Sequence, residues 1–242
     1  MALELNNSFE GGSDGTTLTA GNSGGLSGDP FNAVSIGAGG ILRFETARAM
    51  HGDLSLFVSE PASAVAIYGA WTFGAQSELW ARLYLNLDVA SSGSYARGLF
   101  RFFAGGSERS GLRIKNTRAL NVNNHVGTES ADTTTLIPLD TWVRIECHAT
   151  AETGTNNGAI EANLYLNPNS TVADETISLT GLDFGTSASF DEVRVGLLSG
   201  ADCDIYIDGI QVNNVGYPGP IPGPRRRLVV PPTQAVHRAS RW

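Results

Sequence analysis

The alternation that decides the fold occupies ten consecutive residues, Leu79-Trp80-Ala81-Arg82-Leu83-Tyr84-Leu85-Asn86-Leu87-Asp88. Successive side chains of a β-strand point to opposite faces, so this strand has one aliphatic face and one polar, aromatic face. The same alternation returns in residues 143–149, 191–197 and 203–212, and no window holds a sustained helical period. Short runs of Gly, Asn and Ser between such segments, including Asn123-Asn124, indicate turns. The pattern therefore predicts an all-β protein.

Length and composition point to one large domain. The chain has 242 residues, of which 41% are hydrophobic and only 17% are charged, and it contains 29 glycines. Such a composition supports a sizeable core with many tight turns and does not fit a disordered chain. We predict a two-sheet antiparallel jelly-roll sandwich over residues 1–216, with a closed barrel as the alternative, and an extended Pro/Arg-rich C-terminal arm over residues 217–242.

The arm is marked by prolines at every second position. Proline cannot donate to a sheet ladder, so an extended segment rather than a strand is expected there. The last 26 residues carry five arginines and no acid, whereas the body is acidic, which argues against nucleic-acid binding by the body. We expect the arm to dock on an acidic body, its own or a neighbour's, and to act in assembly, with contact to nucleic acid as the alternative. The residues assigned to assembly are Tyr217, Pro218, Pro220, Pro222, Pro224, Arg225, Arg226, Arg227 and Trp242.

The two cysteines are expected to be buried. Cys147 and Cys203 lie on the apolar phase of alternating segments, which predicts thiols that act as small hydrophobic side chains, with an inter-strand disulfide as the alternative. Neither belongs to a Cys-x-x-Cys pair, so a structural zinc site is unsupported. The N-terminus lacks a secretory pattern and no stretch is long and apolar enough for a membrane span, so no membrane contact is expected.

The sequence lacks the common patterns of hydrolytic sites. A glycosidase needs two carboxylates within several Å of each other, and no strand carries a run of acids at alternate positions. A Gly-x-Ser-x-Gly turn is absent, and the four histidines are scattered. The sequence therefore predicts a protein without enzymatic activity.

Three acids near the last strand form a candidate metal site. Asp202, Asp204 and Asp208 share one phase, and their carboxylates together with loop carbonyls could form part of a site for Ca²⁺ as a cofactor. The alternative is a solvated strand face that ends in an Asp208-Gly209 turn.

Aromatic side chains form a candidate carbohydrate-binding site. Trp80 and Tyr84 share one phase of a strand, and Trp142 stands at the entry of another. Such a stripe on an exposed sheet could stack against sugar rings. The alternative is that both faces of the sheet are buried and the aromatic rings fill a second core.

Four segments resemble the closing strands of concanavalin A-type lectin and glucanase domains, also described as laminin-G-like. They are TWVRIE (141–146), GAIEANLYL (158–166), FDEVRVG (190–196) and DIYIDGIQV (204–212). The resemblance covers residues 3–215 and implies a jelly roll whose last strand pairs with the first. The glucanase members carry an acidic triplet on one strand, and its absence here puts hydrolysis in doubt.

The stretch from Asn7 to Val34 resembles minor tail and other virion-surface proteins of actinobacterial phages. It opens with Asn-Ser-Phe-Glu-Gly-Gly and continues through Asn-Ser-Gly-Gly to Phe31 and Val34. The resemblance implies a structural protein of the virion, on the tail or decorating the head. Its partners would be other copies of itself, in a symmetric homo-oligomer such as a trimer, other virion proteins and host cell-wall glycan. The alternatives are a carbohydrate-binding module of an actinobacterial protein and a glycan hydrolase with carboxylates from separate strands.

Overall fold

The computed structural model describes residues 2–60, 66–89, 97–124, 129–185, 189–198 and 202–222, apart from the side chains of Arg97 and Leu198. These residues form fifteen strands and one short 3₁₀ helix (Ala20–Asn22). The strands are β1 (Glu4–Asn7), β2 (Ala33–Ile36), β3 (Ile41–Glu45), β4 (Ser55–Glu60), β5 (Ala66–Gln76), β6 (Glu78–Val89), β7 (Arg97–Ala104), β8 (Ser107–Ile114), β9 (Ala119–Asn124), β10 (Ser130–Leu136), β11 (Trp142–Thr150), β12 (Gly158–Tyr165), β13 (Glu175–Leu182), β14 (Phe190–Leu198) and β15 (Cys203–Asn213).

The strands pair in two antiparallel sheets. Sheet A has the order β13-β12-β11-β6-β15-β4-β3, and β1 also pairs with β15; sheet B has the order β10-β9-β8-β7-β14-β5-β2. The last strand pairs with the first, with Asn213 opposite Glu4 and Ile210 opposite Asn7, as the concanavalin A-type resemblance implies. The prediction of an all-β, two-sheet antiparallel sandwich is confirmed, and the described strands do not close into a barrel.

The aliphatic phase of the central strands forms the core between the sheets. On β6 every residue of that phase from 79 to 87 is buried, namely Leu79, Ala81, Leu83, Leu85 and Leu87. Sheet B contributes Phe100, Phe102 and Val193 to the same cluster. Each large apolar side chain buried in this way contributes about 1.5–3 kcal/mol relative to an exposed one. The period-2 pattern of the sequence is thus the pattern of core positions.

A β-bulge in β15 rearranges the face of sheet A that points away from the core. Asp208 pairs with Tyr84 and Gln211 with Arg82, so Gly209 and Ile210 together stand opposite one residue of β6. Gly209 has a φ of +51°, a value that a glycine adopts without strain. Because of the bulge, Ile210 lies in the core. Asp208 and Gln211 both lie on the face that points away from the core, opposite Tyr84 and Arg82 of β6.

Both cysteines lie in the core, and no disulfide joins them. Burial raises the pKa of the Cys147 thiol above its ordinary value, which suits a side chain that acts as a small hydrophobe. In the part of the chain that the structure describes, no helix is long and apolar enough to cross a membrane.

The sequence pattern does not identify the two strands at the borders of sheet B. The short strands β2 and β10 are its two edges, and few of their side chains are buried, so their sequences carry little alternation. Asn123-Asn124, predicted as a turn, instead completes β9 with both side chains buried. That prediction was wrong because the hairpin continues to a hydrogen bond from Asn124 N to Glu129 O at 3.1 Å.

Candidate functional site

The polar phase of the central strands gathers on one surface, the outer face of sheet A. Antiparallel pairing aligns its side chains in rows across β12, β11, β6 and β15. From one end of the strands to the other, the rows are Glu161, His148, Trp80 and Asn213; Asn163, Glu146, Arg82 and Gln211; Tyr165, Arg144, Tyr84 and Asp208; and Trp142, Asn86 and Tyr206. This face carries ionisable and aromatic groups where the opposite face of the same strands is aliphatic.

Arg82 lies near the centre of the outer face and has little contact with solvent. Only 5% of the residue is exposed. Its Nε donates to Gly209 O at 3.1 Å and its Nη1 to Gly219 O at 2.8 Å. No carboxylate of the described residues lies within salt-bridge distance of the guanidinium. Burial lowers the pKa of Arg82 from its usual value, but an arginine stays charged at neutral pH. The face therefore holds a cation that two neutral carbonyl groups solvate.

Arg144, on the neighbouring strand, has a different environment. Its Nε lies 3.3 Å from Glu146 Oε1, its guanidinium stacks 3.7 Å from the Tyr165 ring centroid, and its Nη2 donates to Ser170 O at 2.6 Å. The Tyr165 hydroxyl donates to Glu146 Oε2 at 3.0 Å. These contacts neutralise Arg144 and orient it, so its role is to support the fold of this face.

Tyr84 and His51 form an edge-to-face pair beside Arg82. Their ring centroids are 4.6 Å apart, and the Arg82 guanidinium lies 5.6 Å from the centre of the Tyr84 ring. The His51 Nε2 is buried and has no hydrogen-bond partner among the described residues. Burial, with a smaller effect of the Arg82 charge, lowers the pKa of His51, so the imidazole is neutral near pH 7. In the tautomer protonated at Nδ1, the Nε2 of a neutral imidazole has a free lone pair and can accept a proton.

Asp208 positions the loop that carries His51. Its Oδ2 accepts from His51 N at 2.8 Å and from Met50 N at 2.9 Å, and its Oδ1 accepts from Gly209 N at 2.6 Å. The carboxyl is fully buried, and burial raises its pKa to about 7 in spite of these three donors. Asp208 therefore ties β15, its bulge and the His51 loop together.

The three acids predicted as metal ligands do not meet at one point. Asp202 is exposed and precedes β15, while Asp204 and Asp208 stand four residues apart along it, roughly 13 Å at the rise of a strand. The backbone donors already engage Asp208. Among the described residues, no group of three or more His, Cys, Asp or Glu side chains is placed to hold a metal ion.

All three predicted aromatic residues lie on the outer face, but not as a continuous stripe. Trp80 stacks on His148 with ring centroids 4.3 Å apart and an angle of 3° between the planes. Tyr84 is fully covered, and Trp142 is half-buried at the other end of the rows. The rows that contain Arg82 and Arg144 separate the two tryptophans, so Trp80 and His148 form a platform of their own.

The two ends of the outer face differ. At the Trp142 end, Arg48 forms ion pairs with Asp88 at 2.7 Å and Asp140 at 2.6 Å and donates to Asn86 Oδ1 at 2.8 Å. These ion pairs neutralise the charged groups at that end of the outer face. Near Arg82, a pocket of about 250 Å³ opens between β1, β15 and Ile221.

Part of the C-terminal arm covers the centre of the outer face. Residues 217–222 lie on Arg82 and Tyr84 through hydrogen bonds from Arg82 to Gly219 O and from Ile221 N to Tyr84 Oη. The remaining residues assigned to assembly lie outside the described residues, namely Pro224, Arg225, Arg226, Arg227 and Trp242.

Comparison with solved structures identifies proteins of the same fold. They include an endo-β-1,4-glucuronan lyase from the fungus Trichoderma reesei (TM-score 0.58, 11% identity, covering 87% of this chain and 94% of that chain). They also include the cellulose-induced protein Cip1 (0.58, 16%, 86% and 96%) and the alginate lyase Aly36B in complex with an alginate trisaccharide (0.51, 13%, 88% and 98%). At these identities the likeness shows the jelly-roll sandwich, which is consistent with a concanavalin A-like fold, and nothing finer. Neither a family model nor a curated protein matches the sequence.

The prediction that the chain is not an enzyme was wrong in its premise. It rested on the missing carboxylate pair and on a resemblance to lectins and glucanases. Two of the structures of this fold are polysaccharide lyases, so a face without a hydrolytic carboxylate pair is not evidence against catalysis.

Sequence reasoning missed the ionisable centre of the outer face. Arg82 and Arg144 lie on the polar phase, which was interpreted from its aromatic residues. An arginine on such a phase is ordinarily a solvated side chain. His51 lies outside the strands, in a loop without a motif. The available signal was the alternation itself, which places Trp80, Arg82 and Tyr84 side by side.

Proposed function

We propose that the chain binds an acidic polysaccharide on the outer face of sheet A and cleaves it by β-elimination. The observation that carries the proposal is Arg82, a buried cation without a carboxylate partner in the described residues, beside Tyr84 and His51. A lyase needs a cation for the substrate carboxylate, a base and a proton donor. Two polysaccharide lyases have the same fold, and β-elimination does not need the carboxylate pair that hydrolysis needs.

The reaction follows from the chemistry of a uronate. Arg82 donates hydrogen bonds to the C6 carboxylate and offsets its charge, which stabilises the negative charge that develops when C5 loses its proton. The electron pair of the C5–H bond forms a C4=C5 double bond, and the C4–O4 bond breaks. The leaving O4 takes up a proton. The products are a shortened chain with a free hydroxyl and a chain with an unsaturated end.

Two side chains are assigned to the proton transfers. The neutral His51 Nε2 accepts the C5 proton, and the Tyr84 hydroxyl donates its proton to O4, with the two rings close enough for both to face one sugar. The Trp80 and His148 platform binds a neighbouring sugar ring, because flat aromatic surfaces offer apolar contact to the apolar face of a pyranose.

The test is formation of the unsaturated product. The full chain is incubated with polyglucuronate, polymannuronate and polyguluronate, and with a neutral β-glucan as control, while ultraviolet absorbance of the conjugated C4=C5 bond is followed. Arg82→Gln, His51→Gln and Tyr84→Phe should each lower kcat/KM by roughly 100-fold or more. Tyr68→Phe, on the outer face of sheet B, is the matched control and should retain activity. Wild-type rates in the Arg82→Gln and His51→Gln variants would contradict the assignment.

A binding module is the second candidate, and the Trp80 and His148 platform favours it. A protein of this kind would bind acidic glycan with the same dependence on Arg82 and Trp80 but release no unsaturated product. Calorimetry with the same three polymers, run beside the absorbance assay, separates the two functions.

The N-terminal resemblance supports a further proposal, a place on a phage particle as a homo-oligomer that contacts host glycan. A glycan-cleaving or glycan-binding face is compatible with such a location. Purified virions should then contain the chain in many copies, and light scattering of the full chain should give the mass of an oligomer. A monomer absent from virions would remove this proposal and leave the glycan site untouched.

A further inference from the structure

We propose that residues 217–222 are a built-in occluder of the glycan site and that substrate enters only when this segment leaves the outer face of sheet A. The inference rests on the proposed function, since it concerns access to the same site. Its observations are nevertheless separate, because they are contacts of the arm with the body of the chain.

The segment engages the two groups that the proposed reaction uses most directly. Arg82 Nη1 donates to Gly219 O at 2.8 Å, which occupies a donor that a substrate carboxylate would need. Ile221 N donates to Tyr84 Oη at 2.7 Å, which holds the hydroxyl assigned to the leaving oxygen. Each arm contact therefore competes with one substrate contact.

The fit between the arm and the bulge of β15 is close. A Cβ placed on Gly209 would lie 2.6 Å from Ile221 Cδ1, so the Ile221 side chain rests on a surface that only glycine leaves open. With the segment in place, Tyr84 is 0% exposed and Arg82 5%. A sugar cannot reach either group while Ile221 remains there.

The arm also reaches the aromatic platform. The Tyr217 hydroxyl donates to Glu161 Oε1, and the Tyr217 ring lies 6.4 Å from that of His148 in an edge-on arrangement. Residues 217–222 thus extend from the platform row to the Tyr84 row, which is the path proposed for the glycan.

The docking is of a kind that can be reversed. Pro218, Pro220 and Pro222 have no N–H group to donate, and a few separate contacts hold the segment on sheet A. Gly219 has a φ of +69°, and this left-handed conformation accompanies the bond from its carbonyl to Arg82. A neutral carbonyl is a weaker acceptor for a guanidinium than a carboxylate is. Acidic glycan is therefore expected to displace the segment, whereas neutral glycan is not.

The decisive experiment compares full-length chains whose arm is docked or released. Gly219→Pro fixes φ near −65° and removes the left-handed conformation, and Ile221→Ser removes the apolar contact with Gly209; neither changes the charge. Val215→Ser is the matched control, because Val215 is 74% exposed and precedes the docked segment. Affinity for an oligoglucuronate is measured by calorimetry, and hydrogen exchange of the Ile221 amide reports on docking without any need for activity.

Occlusion predicts three results together. Gly219→Pro and Ile221→Ser should bind the oligoglucuronate at least about tenfold more tightly than the parent, because the apparent dissociation constant equals the intrinsic one divided by the open fraction. Val215→Ser should match the parent. In the parent, the Ile221 amide should be protected from exchange and lose that protection when the oligoglucuronate is added, but not when a neutral glucan oligomer is added.

Different experimental results would overturn the occluder and the proposed function. Equal affinities for parent and released variants, with Ile221 still protected in the presence of glycan, would overturn the occluder and leave the proposed function standing. A lack of acidic-glycan binding by every chain, including Gly219→Pro and Ile221→Ser, would overturn the proposed function and the occluder with it.

Discussion

Glu146 lies directly opposite Arg82 on the paired strands β11 and β6, yet its carboxylate is engaged by Arg144 and by the Tyr165 hydroxyl. Two arginines on the same face therefore have different tasks. Arg144 completes a buried ion pair, while Arg82 donates to two carbonyl groups and, in the proposed function, would bind an anionic ligand. Both arginines alternate with apolar residues in the same way, so the sequence pattern does not distinguish them. The difference follows from the contact that Glu146 makes with Arg144 instead of Arg82.

This difference predicts that matched substitutions lower the free energy of unfolding by different amounts. Arg144→Gln leaves Glu146 buried without its cation, which should lower the free energy of unfolding by about 3–5 kcal/mol. Arg82→Gln removes only hydrogen bonds to carbonyl groups and should cost about 1–2 kcal/mol. Urea unfolding of the two variants measures both values. Equal losses would mean that Arg82 is as structural as Arg144 and would count against its assignment to substrate.

Asp208 predicts a pH dependence of stability. Its pKa in the folded chain is about 7, above the ordinary 3.8, so folding favours the protonated carboxyl. The associated stability is fully present below pH 3.8 and is lost as the pH rises towards and through 7. His51 acts in the opposite direction, because its pKa is lowered in the folded chain.

Asp208→Asn separates the two effects. Asparagine cannot titrate but keeps an oxygen for the Met50 and His51 amides, and His51 remains in both proteins. The stability of the parent relative to Asp208→Asn should therefore decrease between about pH 4 and pH 8. A difference that stays constant over this range, measured by urea unfolding at each pH, would show that Asp208 does not titrate there.

Trp80 predicts a binding contribution that is separable from stability. Its ring stacks on His148 at the surface and is half-buried, so Trp80→Ala should change the free energy of unfolding by less than a core substitution of about 3–5 kcal/mol. Affinity for acidic oligosaccharides should fall by about tenfold, as a lost aromatic contact of about 1.5 kcal/mol implies. Trp142→Ala is the control, because Trp142 lies at the end of the face that the Arg48 network fills. Equal losses of affinity in both variants would argue that neither ring is a specific platform.

The sandwich could be predicted from sequence because its central strands bury one face completely. Every aliphatic residue of the alternation on β6 is a core residue, and the edges β2 and β10 were missed because they have few such positions. The aromatic residues of the outer face were found for the same reason, since Trp80 and Tyr84 share a phase. The proposed reactive centre was not found, because it depends on contacts distant in sequence: Asp208 positions His51, and Glu146 pairs with Arg144 instead of Arg82.

Gly209 offers a direct check on the link between the bulge and the arm. Its φ of +51° and its contacts, 2.6 Å to Ile221 Cδ1 and 3.0 Å to Tyr84 Cδ2 for an added Cβ, predict that Gly209→Ala strains the backbone and displaces Ile221. Gly106→Ala is the matched control, because Gly106 has a φ of +77° with no atom within 4 Å of its added Cβ.

Backbone strain alone should therefore cost both variants about 1–2 kcal/mol of unfolding free energy, whereas only Gly209→Ala should deprotect the Ile221 amide in hydrogen exchange. If Gly209→Ala leaves Ile221 as protected as in the parent, the arm adapts to the added methyl group and its docking does not depend on the bulge. If both variants deprotect Ile221, the arm responds to global destabilisation, and its contact with Gly209 is incidental. Loss of Ile221 amide protection in Gly209→Ala alone would show that the arm docks on the glycine of the bulge.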